Sequence, residues 1–323
     1  MKKTILTVGA ALAAAVLLAA PSAAPKRLKV LVIGNSFSLS MMDELPKAAA
    51  AYPGCELDIV NMYIGGCPLD RHWANVEKAS DPEFRPYAVK ASYAFDRKEM
   101  PLRANIPEML AKDRWDIVTI QQSSDKSAFY ETYQPYADKL IAKIRELAPQ
   151  AEIRIQETWS YSPYADRLAK WKMTSEAMYE ALHAAYGKLA AKHSFKTIPT
   201  GTAVQLYRRR LPVEYGKLLT KDEIAAIARP GLVDFHGDVT GSSRWKKGRK
   251  KDKDRDEVKL RLDASHLNEE GKYLQACVWL ASLFGVDVTK LTYEPKIPGF
   301  ASRAALMRRC AAEAVPLTAK CPF

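Results

Sequence analysis

A continuous apolar run near the start of the chain, Val30 to Ile33, ends abruptly at Gly34. Apolar residues that follow one another without alternation are typical of a strand covered on both faces, as in a parallel sheet. Gly34 permits a sharp turn, so Ser36 is predicted where the strand hands over to a helix, at the carboxyl edge of the sheet. Open α/β sheets bind their ligands at that edge. Ser36 is therefore either a reactive hydroxyl or an ordinary turn or helix-capping residue.

Strands and helices alternate along the rest of the chain. Further strands are predicted at residues 57–64, 115–120, 152–157 and 196–199. Helices are predicted near residues 42–51, 106–113, 136–147 and 174–193, and from the N-cap Asn268 to Phe284. Residues 70–100 lack clear periodicity and are predicted to form a long surface excursion. Five strands separated by helices predict an α/β fold, a three-layer sandwich with right-handed crossovers.

The first residues predict export. Lys2 and Lys3 precede an apolar run from Ile5 to Ala20, and small residues follow up to Ala24. This order is typical of a secretory signal peptide, here residues 1–24, and it predicts a periplasmic or secreted protein. The run is too short for a comfortable membrane span, and no cysteine follows it to carry a lipid. Stable membrane insertion is therefore not expected.

Positive charge is concentrated in one segment of the chain. Of a formal net charge of +12, much comes from Arg244 to Arg261, which holds ten Lys or Arg against four Asp or Glu. We interpret residues 242–261 as a basic insertion, either a solvated mobile loop or a patch that attracts an acidic glycan. Nucleic acid is not an expected partner, because the chain is predicted to be exported and carries no nucleic-acid-binding motif.

The cysteines indicate neither a disulfide framework nor a metal site. Their number is odd, so at least one thiol is free, and a pair near the end of the chain could close a small loop. No spacing fits a zinc site, and neither a metal nor a cofactor is predicted. The five are Cys55, Cys67, Cys277, Cys310 and Cys321.

Asp263 and His266 lie three residues apart just before the last predicted helix. In a turn, this spacing can place a carboxylate against one imidazole nitrogen and leave the other nitrogen free. A serine nucleophile needs such a base, because the acid fixes the tautomer while the histidine accepts the hydroxyl proton. The alternative is that both residues are ordinary capping residues.

Four segments together resemble the SGNH or GDSL-type esterase and lipase superfamily, and more narrowly a mostly exported bacterial branch with a GNSFS first block. They read IGNSFS, YIGGCPLDRHW, WDIVTIQQSS and DASHLNEEGKYLQA. The resemblance implies a flavodoxin-like three-layer fold with a five-stranded parallel sheet, here residues 25–293, followed by a C-terminal tail, 294–323. It also implies Ser36 as nucleophile, His266 as general base and Asp263 as the residue that orients the histidine.

The same resemblance implies an oxyanion hole. The backbone N–H groups of Ser36 and of Gly66, or Gly65, would supply two donors. The superfamily usually adds an asparagine side chain at the end of the third parallel strand, where this chain has Gln121 and Gln122. A glutamine amide can donate the same bond, and Gln122 is preferred over Gln121. The first block also departs from the commoner pattern, with Asn35 in place of aspartate.

Three further residues are candidates for substrate binding. His72 follows the two glycines closely and is predicted to contact the substrate or to support a residue that does. Trp159 and Tyr161 could stack on a sugar ring, and core or rim packing is their alternative. The sequence thus predicts an exported serine esterase that removes carboxylic, specifically O-acetyl, esters from carbohydrates. The alternatives are a lipase or thioesterase of the same superfamily and a non-catalytic carbohydrate-binding protein. The sequence makes no prediction of the oligomeric state.

Overall fold

The computed structural model describes residues 24–97, 99–211, 218–248 and 256–315. All but the last residue of the predicted signal peptide, and Cys321, lie outside these ranges. Within them the chain forms nine strands and eleven α-helices. The strands are β1 (Lys26–Gly34), β2 (Cys55–Tyr63), β3 (Tyr87–Ser92), β4 (Arg103–Ala104), β5 (Ile117–Ile120), β6 (Glu152–Glu157), β7 (Lys196–Pro199), β8 (Thr240–Lys247) and β9 (Val258–Leu267). The helices are α1 (Ser36–Leu39), α2 (Leu45–Ala51), α3 (Leu69–Glu77), α4 (Ile106–Lys112), α5 (Tyr136–Leu147), α6 (Asp166–Trp171), α7 (Ser175–His193), α8 (Thr200–Arg209), α9 (Lys221–Ala225), α10 (Glu269–Phe284) and α11 (Ala301–Ala314).

The α/β class is confirmed, but the central sheet of the described residues has seven strands, in the order β4-β3-β2-β1-β5-β6-β7. Strands β2, β1, β5, β6 and β7 are mutually parallel, and β3 and β4 add two antiparallel strands at one edge. The sheet thus has two strands more than the predicted five, because β3 lies within residues 70–100, which were predicted to form a surface excursion, and β4 follows at Arg103–Ala104. Strand β3, which is half-exposed and second from the edge, lacks the continuous apolar run of the inner strands. The flavodoxin-like layout stays a prediction.

The core lies on both faces of the sheet. Consecutive residues from Val30 to Gly34 are all buried, which requires that elements cover both sides of β1. One group of helices, α8, α10 and α11, packs together, and α5 contacts both α3 and α4. The predicted helix after Asn268 is α10. Its first turn is capped by a bond from the Gly271 N–H to Asn268 Oδ1 (3.0 Å), and it ends at Gly285.

The structure gives the predicted C-terminal tail a packed helix. Residues 301–314 form α11, which contacts α8 and α10. Cys310 lies buried on this helix, and the four cysteines of the described residues are all free thiols. The proposed pairing of Cys310 with Cys321 concerns a residue outside the described ranges.

The predicted basic loop is largely an antiparallel hairpin made by β8 and β9, paired from Lys247 opposite Val258 down to Thr240 opposite Leu267. The interpretation as a loop was wrong for residues 242–247 and 258–261, which are strand residues whose many exposed basic side chains leave no apolar alternation. Residues 249–255 of the predicted insertion lie outside the described ranges. Within those ranges, no helix has the length and apolar character needed to cross a bilayer.

Candidate active site

Ser36 is the first residue of α1, directly after β1. The approach of α1 to β1 requires a glycine at position 34, because a Cβ there would collide with Ser38 Oγ and lie 2.7 Å from Ser38 Cβ. Asn35 caps α1 by accepting a bond from the Phe37 N–H (3.1 Å). The Ser36 N–H donates to no group in the described part of the chain. The hydroxyl therefore stands at the carboxyl edge of the sheet, as predicted.

Asp263 and His266 lie on β9, at an irregularity in its pairing with β8. Thr240 is opposite Leu267 and Ser242 is opposite Asp263, so one residue of β8 faces three residues of β9. In a regular strand, side chains three residues apart point to opposite faces. A bulge re-aims side chains, and here it brings the carboxylate and the imidazole together. The sequence predicted their proximity from a turn, whereas the structure achieves it with a bulged strand.

The three side chains form one hydrogen-bonded chain. His266 Nε2 lies 2.9 Å from Ser36 Oγ, and His266 Nδ1 lies 2.8 Å from Asp263 Oδ2. An ionised carboxylate only accepts hydrogen bonds, so Asp263 places the imidazole proton on Nδ1. This leaves the Nε2 lone pair for the Ser36 hydroxyl.

Asp263 is held in its ionised form. Burial alone would raise the pKa of this half-buried carboxyl, but the bond and charge of His266 and the backbone N–H groups of Ser265 and His266 outweigh it. The net effect places the pKa of Asp263 well below its usual range. Asp263 is therefore charged wherever the protein is folded near neutral pH.

Trp159 lies in the core, where it supports the strand that carries His266, and it cannot contact a substrate. Its side chain is fully buried, stacks on Phe37 with ring centroids 4.0 Å apart, and donates from Nε1 to the Ser265 carbonyl oxygen (2.9 Å). Phe37 in turn meets the His266 ring edge-on at 5.4 Å. The predicted sugar-stacking role is therefore wrong, and Trp159 positions the strand that carries His266.

Gly65 and Gly66 form the centre of an exposed turn closed by a bond from the Cys67 N–H to the Ile64 carbonyl oxygen (3.3 Å). Gly66 has φ +59°, the left-handed region that favours glycine. Neither glycine N–H donates to a group in the described part of the chain. The Asn35 amide nitrogen donates to the Cys67 carbonyl oxygen (3.1 Å) and so ties this turn to the Ser36 segment.

The two glutamines at the end of β5 have structural partners. Gln122 donates from Nε2 to the carbonyl oxygen and to Oγ1 of Thr132 (3.0 and 3.1 Å). Both amide hydrogens are thus used, which contradicts the predicted oxyanion role of Gln122. Its Oε1 accepts from the Leu69 N–H (2.9 Å), at the start of α3. Gln121 donates from Nε2 to Asn35 Oδ1 (2.7 Å) and so supports the Asn35 side chain.

The other two predicted substrate contacts are core residues. His72 is fully buried, with Nδ1 2.8 Å from the Tyr87 hydroxyl. Burial lowers the pKa of His72 to about 3. Tyr161 is buried, and its hydroxyl donates to Ser124 Oγ (2.9 Å). Neither side chain is available to a substrate, so both predictions were wrong.

Sequence reasoning missed two positioning groups. Asn35 was noted only because it replaces the commoner aspartate, and this difference was the available signal of its positioning role. The second group is a buried ion pair in which Arg208 Nε lies 3.0 Å from Asp238 Oδ1. Arg208 also donates to Ser160 Oγ (2.6 Å), and Asn268 Nδ2 donates to the Asp238 carbonyl oxygen (2.8 Å). This pair joins α8 to the junction of β9 and α10; no local sequence pattern marks it.

Comparisons with known proteins agree with this fold. A family model described as a domain of unknown function (DUF4886) matches residues 29–222, more than half of the chain. No curated protein matches the sequence. The crystal structure of a DUF4886 family protein from Bacteroides uniformis is 26% identical, with a TM-score of 0.68 over 90% of this chain and 95% of that chain.

Two more distant structures are also similar. A candidate SGNH hydrolase from Slackia heliotrinireducens is 17% identical, with a TM-score of 0.46 over 80% of this chain and 100% of that chain. A candidate GDSL-like lipase from Parabacteroides merdae is 13% identical, with a TM-score of 0.41 over 80% of this chain and 96% of that chain. These two similarities are too low to carry an argument.

Proposed function

The chain belongs to the family described as a domain of unknown function, DUF4886, and from the geometry around Ser36 we propose that it is an exported serine esterase of the SGNH type. The observation that carries the proposal is the distance of 2.9 Å between His266 Nε2 and Ser36 Oγ. With His266 Nδ1 held by Asp263, the only basic nitrogen of the ring faces the hydroxyl. This is the arrangement that activates a serine nucleophile.

Acylation follows from these contacts. Ser36 Oγ attacks the carbonyl carbon of the ester while its proton passes to His266 Nε2. Asp263 stabilises the imidazolium that forms. The bond between the carbonyl carbon and the alcohol oxygen then breaks, and His266 returns the proton to that oxygen. The alcohol leaves, and the acyl group remains on Ser36.

Deacylation uses the same groups with water as the nucleophile. His266 accepts a proton from water, the resulting hydroxyl attacks the acyl carbon, and the bond to Ser36 Oγ breaks as its proton returns. The N–H groups of Ser36 and of Gly66 or Gly65 are free to stabilise the oxyanion in both steps. We assign no third donor to Gln122, and removal of one such donor typically costs about 10²–10³ in rate. We therefore expect a modest catalytic rate.

The proposed substrate is a carboxylic ester, specifically an O-acetyl group on a carbohydrate. Support comes from the predicted signal peptide, which would place the enzyme in the periplasm or outside the cell, among glycans. A lipase or thioesterase shares the chemistry, and rates on p-nitrophenyl acetate, butyrate and octanoate separate these possibilities. Acetate should be hydrolysed fastest.

Labelling and hydrolysis together test the proposal. Wild-type protein should hydrolyse p-nitrophenyl acetate and react covalently with a fluorophosphonate probe, whereas Ser36→Ala should do neither. Ser40→Ala is the matched control, because Ser40 Oγ bonds Phe37 O and Gln275 Oε1 rather than His266. Folding of each variant is verified by thermal unfolding. Absence of both turnover and labelling in wild type would instead favour a non-catalytic carbohydrate-binding protein.

Export is tested separately. Expression of the full chain in a bacterial host, followed by fractionation and N-terminal sequencing, should yield a processed protein that begins near residue 25 in the periplasm or medium. An unprocessed cytoplasmic protein would contradict the predicted signal peptide.

A further inference from the structure

The β8–β9 hairpin aligns basic side chains in pairs. Arg244 is directly opposite Arg261, and Lys246 is directly opposite Lys259. Side chains alternate between the two faces of a strand, so these four residues, which we call the cationic ladder, share one face. Asp263 lies two residues beyond Arg261 on β9 and belongs to the same face.

The opposite face of the hairpin is already covered. Trp245 donates from Nε1 to the Gly231 carbonyl oxygen (2.8 Å), and Ser243 Oγ accepts a bond from the Val233 N–H (3.0 Å). Residues 231–233 therefore pack against the face that carries Trp245. The cationic ladder consequently faces away from the body of the protein, and its members are exposed, except for the half-buried Arg261.

Two rungs of like charge follow one another in the hairpin, and like charges directly opposite each other destabilise a strand pair. Arg244 and Lys246 have no carboxylate partner among the described residues, whereas Lys259 pairs with Glu257 (2.9 Å). From Arg244 to Arg261 the sequence holds ten Lys or Arg and four Asp or Glu, so this segment has a net positive charge.

The cationic ladder ends at the triad. At about 3.4 Å per residue, the Arg261 rung lies about 7 Å from Asp263 along β9, and the Lys259 rung lies about twice as far. A bound polyanion that followed this face would reach the residues that orient His266. A basic surface that is continuous with a reactive site favours substrates of opposite charge through steering.

We propose that the cationic ladder binds an acidic polysaccharide and brings its ester groups to Ser36. The substrate class is thus a carboxylate-bearing glycan rather than a neutral one. The inference rests on the proposed esterase function. Arginine pairs with carboxylates in a bidentate manner, and lysine adds a point charge. Acidic glycan is favoured over nucleic acid because the chain is predicted to be exported.

Binding is measured without catalysis in the Ser36→Ala protein. Affinity electrophoresis compares polygalacturonate with dextran, at low and at high NaCl concentration. We expect retardation by polygalacturonate only, weakened by salt. Adding Arg244→Glu and Lys246→Glu should reduce this affinity at least about 10-fold, and it should not unfold the hairpin, since each glutamate would lie opposite a basic residue. Unchanged binding in that variant overturns the proposal.

The matched control reverses two charges outside the hairpin. Lys112 and Arg114, exposed residues just before β5, give Lys112→Glu with Arg114→Glu and the same net charge. This control should bind polygalacturonate like wild type, and an equal loss in both variants would overturn a specific surface. Single-stranded DNA and phosphatidylglycerol vesicles are further probes, and binding to either that equals binding to polygalacturonate would overturn the assignment to a glycan.

Catalysis provides an independent measurement. The ratio of kcat/KM on acetylated polygalacturonate to kcat/KM on p-nitrophenyl acetate should fall at least about 10-fold in the Arg244→Glu, Lys246→Glu variant. An unchanged ratio overturns the proposal. If wild type hydrolyses neither ester, the proposed function fails, whereas the binding measurement still decides whether the cationic ladder recognises acidic glycan.

Discussion

The Asn35 amide nitrogen donates a hydrogen bond to the Cys67 carbonyl oxygen across 3.1 Å. This bond connects the segment that carries Ser36 to the turn that carries Gly65 and Gly66. Aspartate, which is commoner at this position in the superfamily that the sequence resembles, has no hydrogen to donate when ionised. The departure from the pattern therefore has a structural consequence, because it fixes the glycine turn relative to the nucleophile.

Asn35→Asp should lower kcat about 10- to 100-fold with little change in KM, because the turn loses its tie and a buried carboxylate faces a carbonyl oxygen. Kinetics on p-nitrophenyl acetate provide the measurement. Asn105→Asp is the matched control, since Asn105 also caps a helix and accepts from the Glu108 N–H. It should leave kcat unchanged. A rise in KM at constant kcat would contradict a positioning role for Asn35.

Gly66→Ala should lower kcat about 10- to 100-fold. Nothing lies within 4 Å of the added Cβ, so the effect comes from the φ of +59°, which costs an alanine roughly 1–2 kcal/mol and turns the N–H aside. Gly54→Ala is the matched control. Gly54 has φ +81° and an equally open surrounding, at the amino end of β2. It should cost similar stability in urea unfolding and leave kcat intact.

Asp263→Asn should reduce kcat by about 10³–10⁴, because the amide favours the wrong imidazole tautomer. Since the pKa of Asp263 is held well below its usual range, its protonation should not contribute to the pH dependence of wild-type kcat/KM above pH ~4. The control is Asp234→Asn, in an exposed pair where His236 Nδ1 lies 3.5 Å from Asp234 Oδ2. Equal losses of kcat in both variants would argue against a specific triad.

His72 should make stability fall as the pH is lowered. Its folded pKa of about 3 lies below the unfolded value of ~6.5, so between these values only the unfolded chain binds the proton. At pH 5 the free energy of unfolding should be lower by about 2 kcal/mol than above pH 7. His72→Gln should remove this difference, measured by urea unfolding at both pH values. An unchanged pH dependence in His72→Gln would contradict the assignment.

His183 offers a control of opposite sign. Its bond to Glu157 raises the pKa of His183. The stability that this bond contributes is therefore fully present below the pKa that His183 has in the unfolded chain. It is lost as the pH rises through the pKa that His183 has in the folded protein. His183→Gln should lower the free energy of unfolding more at pH 5 than above pH 7. His72→Gln should show the opposite pattern, with a smaller loss of stability at pH 5 than above pH 7.

The sequence predicted those elements whose burial or capping produces a recognisable local pattern of residues. The apolar runs of β1, β2, β5, β6 and β7 and the capping residues of α10 were sufficient for that purpose. Strand β3 escaped because a half-exposed antiparallel strand needs no continuous apolar run. The hairpin escaped because its two strands carry many exposed charged side chains and therefore lack the apolar alternation that predicts a half-buried strand.

Within the candidate site, the members of the hydrogen-bonded chain were predictable, and the positions of the proposed binding residues were not. Ser36, Asp263 and His266 follow from spacing and chemistry, and the structure brings them into contact. His72 and Trp159 were misassigned because an aromatic or imidazole ring has the same local sequence context in a core as in a pocket. Only the tertiary packing distinguishes the two. The bulge that turns Asp263 toward His266 likewise depends on pairing between strands rather than on residue type.

The bulge divides β9 into two parts with different tolerance of change. An insertion or deletion between Asp263 and Leu267 would rotate the acid away from the base and end the chemistry. Changes in length or composition on the side of Arg261 that leads away from Asp263 leave the bulge and its contact with Trp159 in place. The outer part of the hairpin, and with it the proposed polymer specificity, is thus free to change while the contacts among Ser36, His266 and Asp263 are retained.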